Sequence, residues 1–183
     1  MSFRRHARRR HRPSDTRGIA TNAPCVALWL SRLLTVPVIA DQFESEDIDK
    51  TLLTAIGLPT RRKSSPSPRW LRKQAKLRAD ELSSQPLASS RFAAALGALV
   101  PALHLNPIEA EVVAFTFFAS IDSGMLATLT KAVAAFAYLT QVDVKVLAIA
   151  LDVDDQEVRH ALRSAGTLVG GGVMEREADL HQT

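Results

Sequence analysis

The segment that most constrains this chain lies near its end. Residues 142–151 read as a helix, Asp152-Val153-Asp154-Asp155 as a tight turn, residues 156–164 as a second helix, and residues 166–173, with four glycines, as a β-type ribbon. Helix, turn, helix and ribbon in that order outline a winged helix, a fold in which the second helix enters the DNA major groove by its N-terminal residues. In this chain those residues are Asp154, Asp155, Gln156 and Glu157. Duplex DNA carries a dense row of phosphate charges, so the acids oppose DNA entry, and Arg159, His160 and Arg163 offset them only in part.

The charge of +4 is unevenly spread: residues 1–81 carry +9 and residues 82–183 carry −5. Attraction to a polyanion is therefore sought in the first half. The first seventeen residues hold seven arginines, among them Arg8, Arg9 and Arg10. Such a run has nothing to bury and is expected to be disordered. A nucleic-acid-touching tail, a targeting signal and a solvated extension upstream of the true start all remain open for it. The apolar stretch 25–40 is interrupted by Arg32 and broken by Pro37, which argues against a secretory signal. A single cysteine, Cys25, forms no internal disulfide and fits a reducing, cytoplasmic setting. Residues 112–140 are the most apolar region, but Asp122 and Lys131 divide it into pieces shorter than a membrane span of roughly 20 residues. Buried helices and no membrane are the expectation.

The rest of the chain predicts helices. Residues 23–36 place Val26, Leu30, Leu33 and Leu34 on one face, and residues 43–56 form a helix capped by Ser45 and closed by Gly57. Residues 59–68 are a linker rich in Arg, Lys, Ser and Pro. Ser67 then caps a basic, weakly amphipathic helix over 69–82 that carries Arg69, Arg72, Lys73, Lys76 and Arg78. A solvated charged face is the ordinary reading of that helix, and contact with an acidic partner is the functional one. Asn106-Pro107-Ile108-Glu109 is a strong helix start. The helix after it, apolar nearly all round, is expected to be buried on most sides, with Phe92 and Phe136 packing on Phe115, Phe117 and Phe118. Helices over 123–138, 142–150 and 154–164 follow, the last opened by a capping-box-like Asp154 and Glu157.

The fold expected is all-α: a helical bundle with a winged-helix-like C-terminal end bearing a small β ribbon, and a disordered Arg-rich N-terminus. The divisions are a basic tail over 1–24, short helices over 25–58, the linker 59–68, a helical domain over 69–175 and a tail over 176–183.

No residue pattern declares a reaction. The stretch 166–172 has no lysine and precedes no helix, so it is neither a phosphate loop nor a dinucleotide fingerprint. The histidines at 6, 11, 104, 160 and 181 form no metal-ligand pair. No Gly-x-Ser-x-Gly elbow exists. His104, between two leucines at a helix end, reads as a hydrogen-bonded structural histidine. The carboxylates of Glu109/Glu111 and of Asp152/Asp154/Asp155/Glu157 stand at helix starts, where capping explains them. No catalytic residue, metal or cofactor is expected.

Four segments together resemble a known family: Leu30-Ser-Arg-Leu-Leu34; Phe43 with Leu52-Leu-Thr-Ala-Ile-Gly-Leu58; Leu105-Asn-Pro-Ile-Glu-Ala-Glu111; and Val146 through Leu162 with the glycine-rich segment after it. This succession is similar to the region that precedes the ATPase module in large bacterial AAA-type ATPases, over roughly residues 28–175. The resemblance implies partner recognition or regulation beside an ATPase. The phosphate loop, the acidic Mg²⁺-binding motif and the arginine finger of that family have no counterpart here, so no ATP-contacting residue carries over. The chain is therefore expected to be the truncated N-terminal part of such a protein and not an enzyme, with a protein partner, self-association included, and only weak nucleic-acid binding. Arg8, Arg9, Arg10, Arg72, Lys73, Lys76, Arg159 and Arg163 are the candidate contacts. The alternative is a small winged-helix DNA-binding regulator that uses the basic tail as a clamp.

Overall fold

The computed structural model describes residues 24–60, 66–84, 97–98 and 100–163. Among them the secondary structure is helical, with no strand. The basic tail and the ribbon expected over 166–173 lie outside the described residues, as does Phe92.

The first helix, α1 (Pro24–Thr35), is the hub. Val26 through Ser31, Leu33 and Leu34 are all buried. The single buried face expected from periodicity is too narrow, because helices from distant parts of the chain cover α1 on several sides. A short turn of helix, α2 (Pro37–Ala40), follows it.

The helix expected over 43–56 is shorter. Asp47 accepts a hydrogen bond from the Glu44 backbone N–H (2.9 Å) and from the Lys131 ammonium (2.9 Å), which closes a turn where the helix was expected to begin. The cap is Asp49, not Ser45: its Oδ1 accepts from the Leu52 N–H at 2.9 Å and opens α3 (Lys50–Ala55). Gly57, at φ +72, ends this helix, as a residue without Cβ can, and the Leu58 N–H returns to the Leu53 carbonyl (2.7 Å).

The next helix, α4 (Pro68–Ser83), starts as the sequence indicates: Pro68 stands in its first turn and Ser67 Oγ accepts from the Trp70 N–H (3.3 Å). Its buried residues Leu71, Ala75, Ala79 and Leu82 recur every three or four positions and form the face against α1. Burying Leu71 alone contributes about 1.5–3 kcal/mol. Residues on both sides of 59–68 share one core, in which Leu30 and Ile56 lie with Leu71, Val112 and Ala150.

A reciprocal capping box opens α5 (Pro107–Ile121). Asn106 Oδ1 accepts from the Glu109 N–H (2.9 Å), and Glu109 Oε2 accepts from the Asn106 N–H (2.8 Å). Glu109 is buried because its carboxylate serves that cap. Asn106→Ala is expected to cost about 1 kcal/mol, read as a lower urea midpoint at unchanged slope. Phe115 and Phe118 are buried against Trp29 of α1, at ring-centroid distances of 5.4 and 6.2 Å. Phe117 is 42% exposed, so one side of α5 stays open; Phe136 shares the core of Phe115 and Phe118, and its ring pairs with Tyr138.

Asp122 makes a corner of 106° between α5 and α6 (Ser123–Ala135). Its N–H donates to the Phe118 carbonyl (2.9 Å), ending one helix, and its carboxylate accepts from the Met125 N–H (2.8 Å), opening the next. α6 stops at Ala135, three residues short of the expected end, and Tyr138 is exposed.

Two further helices complete the described residues, α7 (Val142–Leu151) and α8 (Asp155–Ala161). Asp152, in the left-handed region at φ 60, turns the chain between them. Arg32 of α1 reaches this turn. It donates to the Ala150 carbonyl (3.1 Å) and pairs with Asp152 (3.3 Å), supplying a cation to a helix C-terminus that has no basic residue in its own last turn. α8 begins with the capping box of Asp154 and Glu157, and packs Val158 against Val144 and Ala148. Among the described residues no single helix is long and apolar enough to cross a membrane.

Candidate functional site

The clearest surface feature belongs to α4. Arg72, Lys73 and Lys76, three of the candidate contacts, line one open groove of about 440 Å³ together with Arg69, Thr35, Leu77 and Asp80. Arg69, Arg72, Lys73 and Lys76 stand at i, i+3, i+4 and i+7, which is one face of a helix. That face is distinct from the one that packs on α1. Among the described residues none of the four cations forms an ion pair; the pairs present are Arg32–Asp152, Arg78–Glu81, Lys131–Asp47 and Lys145–Asp155. Arg69 was not among the sequence candidates, although its spacing to Arg72 and Lys73 was the signal.

The remaining candidates lie elsewhere. Arg159 and Arg163 are exposed, on α8 and just after it, outside the groove. Arg159 donates to the Gln141 side chain (2.7 Å). Arg8, Arg9 and Arg10 fall outside the described residues. At the start of α8, Asp154 and Glu157 are engaged in capping and Asp155 is paired with Lys145 at 3.3 Å. The helix-turn-helix order is therefore present, and its leading end is acidic.

A second surface, on α6, was not read from the sequence. Leu126 is 59% exposed and Val133 48%. With Thr130 between them the spacings are four and three, the rhythm of a helix–helix seam. Ala127 and Ala134, both exposed, flank this row with small side chains. The row itself carries no charge; Lys131, the one charged residue of α6, is partly exposed beside it and paired with Asp47. The signal in the sequence was the same spacing, but residues 112–140 are so rich in apolar residues that the covered and uncovered rows look alike.

Burial is the largest influence on the Cys25 thiol and raises its pKa, and the Glu111 carboxylate raises it further. A nucleophilic cysteine needs the opposite shift. His104 is exposed and sits in left-handed backbone at φ 52, with its backbone N–H donating to the Pro101 carbonyl (3.4 Å). Among the described residues no cluster of His, Cys, Asp and Glu has metal-ligand geometry.

Burial also raises the pKa of Glu111, and Arg32 counters it. A carboxyl whose folded pKa exceeds its unfolded one holds its proton more readily in the folded chain, so it loses stability as pH rises through that window. Glu111→Gln is accordingly expected to melt slightly higher than the wild type at neutral pH. The difference should vanish below the ordinary glutamate pKa, as paired thermal melts against pH will show. Its carboxyl is only partly shielded from solvent, so the effect is small.

No protein-family model matches this chain, and neither a curated protein nor a solved structure does.

Proposed function

We propose that this chain is a non-catalytic helical interaction module that meets a protein partner through the outer face of α6. The observation that carries this reading is the uncharged row of Leu126, Thr130 and Val133, two of whose members are large and exposed. Soluble proteins keep apolar side chains of this size off the surface in rows unless another surface covers them. The likeness to the region ahead of the ATPase module in large bacterial AAA-type ATPases supplies a setting: recognition or regulation beside an ATPase, with ATP handled by other residues. Purified chain titrated with ATP should show no saturable binding, and a tight ATP complex would overturn the non-catalytic part of this reading.

The interaction itself is tested with a photoreactive benzoyl-phenylalanine at Val133 and, as a control, at the exposed Asp143 of α7. A discrete adduct from position 133 alone is expected. Its mass tells whether the partner is a second copy of the chain or another protein. If both positions give the same smear, or neither gives an adduct, the α6 face is not a contact surface.

The DNA-binding reading stands second and rests on the helix-turn-helix order of α7 and α8. The acids that lead α8 weaken it. It requires that Arg159→Ala and Arg163→Ala abolish a sequence preference measurable on duplex DNA.

A further inference from the structure

The four cations of α4 define a second contact surface, on a different helix from the proposed α6 face. They lie within eight residues of helix, about 10.5 Å along its axis, and no carboxylate among the described residues neutralises them. The row does not continue in kind. Leu77, 56% exposed, and Asp80 finish the groove, and Thr35 of α1 forms part of its wall. We infer that this groove docks an acidic amphipathic helix, with carboxylates at i, i+3, i+4 and i+7 facing the cations and an apolar side chain resting on Leu77.

Charge complementarity selects an anion, and the end of the groove selects its class. A nucleic-acid backbone presents phosphates at regular intervals and gains nothing from Leu77, while Asp80 repels the next phosphate in line. An amphipathic peptide uses all three features. Its carboxylates pair with Arg69, Arg72, Lys73 and Lys76, its apolar residue covers Leu77, and a cation one turn further on meets Asp80. The groove is short enough for about two turns of such a helix to fill it.

The probe is a fluorescein-labelled synthetic peptide with glutamates at i, i+3, i+4 and i+7, leucine at i+8 and lysine at i+11. Its binding to the full chain is followed by anisotropy, with labelled duplex DNA as the comparison. Saturable peptide binding that weakens with salt is expected. Arg72→Glu with Lys73→Glu and Lys76→Glu should weaken it about tenfold or more, since each exposed pair contributes a modest share. Leu77→Ala should weaken peptide binding severalfold and leave DNA binding unchanged. Arg72→Gln with Lys73→Gln provides a milder test should the reversals disturb α4, whose helicity is checked by circular dichroism. Absence of saturable peptide binding overturns the inference, as does binding indifferent to the glutamine pair and to Leu77→Ala. Tighter binding of DNA through the same cations assigns the groove to nucleic acid instead. Crosslinking from Val133 is unaffected by these variants, so either surface can fail alone.

Discussion

Phe118→Ala is expected to lower the unfolding free energy by about 3–5 kcal/mol. Phe118 is 1% exposed and meets the Trp29 ring edge-on at 6.2 Å, beside the Phe115–Trp29 contact at 5.4 Å. These rings are a principal junction between α5 and the hub helix α1. Neighbouring side chains held by their own helices relax only partly into the space left, so the loss includes a cavity as well as a transfer contribution. Total stability of a domain this size is about 5–15 kcal/mol, and the variant stands near the edge of folding. Urea unfolding followed by circular dichroism measures the loss, while Trp emission in a Trp70→Phe background reports any opening around the Trp29 ring. A loss below about 1 kcal/mol would be incompatible with a packed aromatic junction.

Gly124→Val is the second large effect, and its direction is the informative part. A glycine in a helix normally costs about 0.5–1 kcal/mol relative to alanine, so replacing it in open space stabilises. At Gly124 an added Cβ lies 2.8 Å from the Ala55 Cβ, on α3, and 3.4 Å from the Thr51 carbonyl oxygen. Neither atom is the free end of a flexible side chain, so α3 and α6 must separate. A net loss of about 1–3 kcal/mol follows. Gly97 is the control: nothing lies within 4 Å of a Cβ added there, and Gly97→Ala should be neutral or stabilising. If both substitutions stabilise, the close approach of α3 and α6 is not as described.

Local chemistry was readable from the residues, and long-range covering was not. Ser67, Asn106 with Glu109, and Asp154 with Glu157 cap the helices that their identities and spacings indicate, because a cap is settled within four residues. Ser45 is not the cap: Asp49 opens the helix instead, after a turn in which Asp47 accepts from the Glu44 N–H and from Lys131, a partner 84 residues later that no local rule contains. The second buried side of α1 was hidden for the same reason: Ala27 and Leu28 are covered by Ala79 and Leu82 from beyond the linker. For the contact surfaces, the basic residues of α4 were identified without the groove that gathers them. The exposed row of α6 was lost within a stretch where composition alone does not separate core from surface.

The Arg32 bridge to Ala150 and Asp152 also sets a clock for synthesis. α1 leaves the ribosome before every other described helix, yet its guanidinium partners lie 118 and 120 residues downstream. At about 5–20 residues per second, that interval lasts roughly 6–24 seconds. Throughout it, Trp29, Leu30, Leu33 and Leu34, which share a core with Ala150 and Leu151, have only part of their final cover. The hub helix is thus the longest-waiting of the described helices in the nascent chain, and the place where a holdase chaperone has most to protect.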